Sequence, residues 1–141
     1  MNWTGYIDDD SLGNTYKQVS GQRVQRTVTC IQNTDQDAAV FWVGLDGYNS
    51  TTLEQAGTLA LCNDGVASYY DWWEMVPTNN QVTVPPILPG DSITSSVKYS
   101  SGAHTLKVTD ATHPTSSFTT TQTCSVTCTN ASAEWIAEAL C

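Results

Sequence analysis

Six residues whose side chains can hold or move a proton, or fix a polarised atom, lie within or beside apolar and aromatic runs: Asp46, Glu54, Gln55, Glu74, Glu134 and Glu138. A carboxyl buried in such a run loses hydration, which disfavours its charged form and moves its pKa up toward the range useful for general acid–base work. The competing reading of each is a polar side chain turned to solvent from an antiparallel sheet. Other arrangements for chemistry are missing from the sequence. There is no nucleophile elbow, no metal-binding pair and no phosphate loop. Neither a C-x-x-C spacing nor a Cys/His cluster suggests zinc. His104 and His113 stand alone in polar, turn-like surroundings and read as surface residues.

The elements that must position these residues read as strands. Arg23 to Gln32 alternates Val24, Val28 and Cys30 with polar residues. Ala38 to Leu45 is a continuous apolar run, as expected of a strand covered on both faces. Thr58 to Cys62 ends at Asn63-Asp64-Gly65, a hairpin-type turn. Further strands are predicted over Tyr69 to Met75, Val82 to Val84 and Phe118 to Val126, with a hairpin of Ile93 to Tyr99 and Thr105 to Val108 joined through Ser101-Gly102. Short strands at this spacing favour a β-sandwich. One segment resists: Ala131 to Leu140 holds a capping Ser132 and good helix formers, and propensity alone predicts a helix.

The chain has 141 residues, enough for one domain with a real core, and neither repeat nor linker divides residues 1–141. Fourteen acidic against five basic residues give a net charge of −9, with no basic stripe for nucleic acid or an anionic membrane. Such a chain approaches neutrality in acid, where self-repulsion is weak. Five cysteines, Cys30, Cys62, Cys124, Cys128 and Cys141, point to a secreted, disulfide-bearing protein, with the pairing open and one thiol left over. Three glycosylation triplets begin at Asn2, Asn49 and Asn130. The start, Met1-Asn-Trp-Thr-Gly-Tyr, does not read as a signal peptide, and no apolar stretch is long enough to span a membrane.

Five blocks, in order along nearly the whole chain, resemble the glutamic peptidase (eqolisin) family: Asn2-Trp3-Thr4-Gly5-Tyr6, Phe41-Trp42-Val43-Gly44-Leu45-Asp46-Gly47, Leu53-Glu54-Gln55-Ala56-Gly57, Tyr70-Asp71-Trp72-Trp73-Glu74-Met75-Val76-Pro77 and Ala133-Glu134-Trp135-Ile136-Ala137-Glu138. The Pro89-Gly90-Asp91 turn has its counterpart there too. The resemblance implies an all-β fold, an antiparallel β-sandwich of concanavalin or lectin-like architecture, and an acid-acting endopeptidase that needs no metal or cofactor. It assigns Gln55 and Glu138 as the catalytic pair. Trp42 and Asp46 match positions near the family's active site, and Trp72 and Glu74 match residues lining the substrate cleft. In that scheme Glu138 takes a proton from the attacking water and returns it to the leaving amine. Gln55 donates a hydrogen bond to the developing oxyanion. The resemblance also makes the last segment a strand. Glu134 and Glu138 then share a face, roughly 13 Å apart, too far for a paired-carboxylate mechanism.

Several features depart from the family pattern. The family continues for some tens of residues past the catalytic glutamate and supplies further strands. The expected sandwich therefore lacks the last of them, and the chain is a monomer unless a second chain completes the sheet. Met75 and Val76 replace the aromatic pair after Glu74, and Gln18 to Asp37 lacks the family's Val-Pro block. Cys128 sits ahead of the last strand much as a family cysteine does, and pairing with Cys141 would clamp that strand. The alternative to a peptidase is a non-catalytic lectin-like module that stacks a glycan or peptide on exposed Tyr69, Trp72 and Trp73. Retention of both Gln55 and Glu138 favours the enzyme.

Overall fold

The computed structural model describes residues 2–31, 37–82 and 87–140. Two antiparallel sheets face each other. The first takes β1 (Trp3–Asp9), β3 (Ala38–Asp46), β4 (Leu53–Asn63), β5 (Val66–Val76), β6 (Asn79–Val82) and β10 (Ser132–Leu140) in the spatial order β1-β10-β3-β4-β5-β6. The second takes β2 (Gln18–Val24), β7 (Ser92–Ser100), β8 (Ala103–Asp110) and β9 (Phe118–Thr123) in the order β2-β7-β8-β9. The architecture is the antiparallel β-sandwich expected from the sequence.

The apolar run of β3 is buried on both faces for the reason its composition suggested. Val43 and Leu45 point between the sheets, where they meet Ala56, Trp73, Ile93, Val97, Leu106 and Val108 in the main core. Val40 and Trp42 point the other way and form a second apolar cluster with Trp72 and Ile136. Burial of each large side chain contributes about 1.5–3 kcal/mol. The turns are equally local in origin. Asp64 and Gly65, and Ser101 and Gly102, all have positive φ, as the two central residues of a tight hairpin turn require.

Other expectations are corrected. The strand expected over Arg23 to Gln32 lies earlier, at Gln18–Val24. After Val24, which is exposed, the chain leaves the sheet. Gln25 turns inward, its N–H bonded to the Asp91 carbonyl and its side chain accepting from Thr58 Oγ1 at 2.6 Å. Strand β4 begins at Leu53, so Gln55 sits well inside it, and β9 stops at Thr123. Strand β1 has no counterpart among the predicted strands: it is an edge strand exposed along most of its length, with no alternation to read.

Cys30 pairs with Cys62, and Cys124 with Cys128. Cys128 is therefore not joined to Cys141. That residue, Thr83, Val84, the Pro85-Pro86 pair and Gln32 lie outside the described residues. His104, expected at the surface, is fully buried, and its Nε2 lies 2.7 Å from Asn130 Oδ1.

The last segment is a strand, not a helix. Strand β10 is inserted between β1 and β3, with register pairs on both sides, so two ladders of backbone hydrogen bonds outweigh a weak local preference.

Candidate active site

The outward face of the six-stranded sheet is organised in cross-strand rows. One row runs Glu134, Gly44, Gln55, Glu74, Asn80. Another runs Trp3, Glu138, Val40, Leu59. Between them lies Ile136, Trp42, Gly57, Trp72. Gly57 carries no side chain, and a Cβ there would meet the β3 backbone at Phe41 and Trp42, so this middle row forms a floor flanked by the other two. Over this floor lies a cleft of about 480 Å³ lined by Leu53, Gln55, Trp72, Glu74, Asn80 and Glu138, among others. A smaller lobe of about 200 Å³ shares Leu53 and Glu138 and is walled by Trp3, Trp42, Tyr48 and Ile136.

Gln55 is almost fully buried, and its Nε2 donates to Glu74 Oε2 at 2.8 Å. A carboxylate oxygen accepts and does not donate, so this contact fixes which end of the amide faces Glu74 and leaves the second N–H free. Burial pushes the Glu74 carboxyl above its ordinary value. The bond from Gln55 opposes this, and the Glu138 charge nearby adds to it. Glu138 is half-buried and is held by two N–H donors. Trp42 Nε1 donates to Oε2 at 3.2 Å, and Asn2 Nδ2 donates to Oε1 at 3.0 Å. Five of the six residues to which the family resemblance gave a role thus border the two lobes: Gln55, Glu138, Trp42, Trp72 and Glu74.

Asp46 does not. It is fully buried at the end of β3, where it accepts from Thr129 N, Asn130 N and Ala131 N and from the Thr129 and Thr52 hydroxyls. Burial alone would push its carboxyl up, but these donors together hold it below its ordinary value. Glu54, on the opposite face of β4 from Gln55, points between the sheets and is raised to about 9 by burial, by the Asp46 charge and by their mutual hydrogen bond. Its Oε2 is 3.6 Å from His104 Nε2, within ion-pair range. With Glu54 protonated, that contact is not an ion pair. Glu134 is raised to about 7 by burial, against bonds from Ser132 and the Tyr48 N–H.

Among the described residues three side-chain groups have ligand spacing for a metal: His104/Cys124/Cys128, Asp46/Glu54/Cys128 and Asp91/Asp110/His113. The first two rely on sulfurs committed to a disulfide, which offer no thiolate. None includes Gln55 or Glu138.

The family model described as the peptidase A4 family matches residues 1–141. The chain belongs to that family. A search of curated proteins by sequence finds no match. Among solved structures, the fold is similar to scytalido-glutamic peptidase with a transition state analog inhibitor, at TM-score 0.76 and 24 % identity over 97 % of this chain and 64 % of that one. It is also similar to aspergilloglutamic peptidase from Aspergillus niger, at TM-score 0.58 and 30 % identity over 72 % of this chain and 62 % of that one. The A4-family chain described here thus spans less than two thirds of the length of either enzyme.

Asn2 is legible in the sequence as part of a family block and as the start of a glycosylation triplet, with no part in the site attached. Its contact with Glu138 joins residues 136 positions apart, which no local pattern announces.

Proposed function

We propose that this A4-family chain is an acid-acting endopeptidase in which Glu138 and Gln55 hydrolyse peptide bonds by direct attack of water. The observation that carries the reading is that both side chains border one cleft, on rows separated only by Trp42, Gly57 and Trp72. An ionised Glu138 accepts a proton from water as its oxygen attacks the carbonyl carbon, and then gives that proton to the departing amine nitrogen. The free N–H of Gln55 meets the negative charge that grows on the carbonyl oxygen. Because an amide does not titrate, that donor works unchanged in acid. No covalent intermediate is needed, and neither residue calls for a metal or cofactor.

The lining supports polypeptide substrates. Leu53, Leu59 and Trp72 on one side of Glu138, and Trp3, Trp42 and Ile136 on the other, form apolar walls suited to hydrophobic side chains flanking the scissile bond. Trp42 and Trp72 make up the floor, while Asp46 ties the end of β3 to the loop before β10. The lectin-like alternative loses its basis, since Tyr69 and Trp73 are buried. No helix among the described residues is long and apolar enough to cross a membrane. Two disulfides accord with secretion to the extracellular space.

The test is digestion of casein in mild acid with pepstatin present. Wild type should cleave, whereas Glu138→Gln and Gln55→Ala should lose on the order of a hundredfold or more in rate. Equal activity in wild type and Glu138→Gln would overturn the assignment.

A further inference from the structure

Asn2 precedes β1, and the register places it opposite Ala139, the residue after Glu138. Its backbone carbonyl accepts the Ala139 N–H at 2.8 Å. Its side-chain Nδ2 donates to the Ala139 carbonyl at 3.1 Å and to Glu138 Oε1 at 3.0 Å. A primary amide has two N–H bonds, so both are in use. The backbone contacts fix where the amide stands, and the remaining N–H then fixes one oxygen of Glu138. Trp42, whose indole N–H can only donate, fixes the other from the neighbouring strand.

We propose that Asn2 is a positioning residue for the reaction. It holds the Glu138 carboxyl, together with Trp42, in the orientation that accepts a proton from water. The inference rests on the reading of Glu138 as the general base. The surroundings leave this work to neutral donors. No lysine, arginine or histidine borders either lobe among the described residues. The acidic group across the cleft is Glu74 from β5, whose own carboxyl the Glu138 charge helps to raise. The inference also reassigns the Asn2-Trp3-Thr4 triplet. A glycan on Nδ2 would replace one of the two committed hydrogens, so the active protein carries Asn2 unmodified.

The experiment compares kcat and KM in mild acid on a peptide substrate for wild type, Asn2→Ala, Asn2→Asp and Glu138→Gln, each checked for an unchanged melting curve. Asn2 is exposed, and Asn2→Asp preserves its shape. In Asn2→Ala kcat should fall about tenfold with KM little changed, because one carboxyl oxygen is no longer held in place. In Asn2→Asp, which replaces the donor by an acceptor, the fall in kcat should be at least as large. Should all Asn2 variants match wild type in kcat while Glu138→Gln is dead, the role of Asn2 is overturned and the catalytic reading survives. Should Glu138→Gln be active, both fail.

Discussion

Asp46 Oδ2 accepts the backbone N–H of Asn130 at 2.9 Å, tying the end of β3 to the loop that feeds β10. The same carboxylate accepts Thr129 N at 3.1 Å and Ala131 N at 2.9 Å, so three successive N–H groups converge on one side chain. Asp46→Ala should therefore cost at least about 2 kcal/mol, since each N–H left without a partner costs roughly 1–3 kcal/mol when buried. Activity should fall with it, because Glu138 lies on the strand this loop launches. The pH dependence has a definite sign. The folded-state value of Asp46 is depressed below 3.8, so its contribution is present above that value and is lost as pH falls through the folded value. Urea denaturation in increasingly acid buffer should show a loss of stability in wild type that is flatter in Asp46→Asn.

How far the sequence discloses this site depends on the range of the forces involved. The β7–β8 hairpin and the Asp64-Gly65 turn are legible because φ preferences act within a few residues. The family blocks place Glu74 and Glu138 on strands, whereas Gln55 lies ahead of the strand predicted from Thr58, and β10 overrules its helical propensity only through pairing with β1 and β3. The burial of His104 is not legible, because its partner Asn130 comes from a loop 26 residues away. Nor is the Cys124–Cys128 bridge, since spacing offered Cys141, beyond the last strand, as a partner for Cys128. Asp46 is expected near the active site, and its actual part, as a buried acceptor that ties β3 to the loop before β10, depends on the position of residues 129–131.

Stability should decline as pH rises out of the acid range. Glu54, Asp71 and Glu134 are all raised, to about 9, about 7 and about 7, with burial the largest cause in each. For Asp71 the Asp110 charge adds to the shift and the Arg23 charge opposes it. In strong acid these groups are protonated in both folded and unfolded chains and favour neither. Above the ordinary carboxylate values of 3.8 and 4.5 the unfolded chain ionises first. Each group then weakens the fold as pH rises until its folded value is passed. The loss should run through neutrality and continue toward the Glu54 value. Glu54→Gln cannot ionise and still offers an N–H to Asp46, so its denaturation midpoint should fall less steeply with pH. A midpoint that rises from mild acid to neutral pH in wild type would contradict the argument.

Gly57→Ala should damage the cleft more than its small added volume suggests. A Cβ at this position would lie 2.0 Å from the Phe41 carbonyl oxygen and 2.8 Å from Trp42 Cα, both backbone atoms of β3 that cannot rotate aside. The strand pair must shift where Trp42 is anchored, and the Trp42 contact to Glu138 shifts with it. We expect a loss of a few kcal/mol in stability, in the range of overpacked cores, and a fall in kcat even where the variant is fully folded. Displacement of Trp42, which walls the smaller lobe, should also raise KM, which steady-state kinetics below the melting transition would separate from the stability effect.

Glu74 should act through Gln55 and show it in kcat. The two face each other across β4 and β5, and the 2.8 Å bond between them anchors the Gln55 amide. Glu74→Ala frees the amide to rotate away from the carbonyl oxygen it serves, so kcat should drop about tenfold or more, corresponding to roughly 1.4 kcal/mol of lost transition-state stabilisation. Glu74→Gln keeps an acceptor oxygen for the same N–H and should recover most of that loss. If Glu74→Gln and Glu74→Ala lose kcat equally, orientation of Gln55 is not what Glu74 contributes. A rise in KM alone in both would place its role in substrate binding.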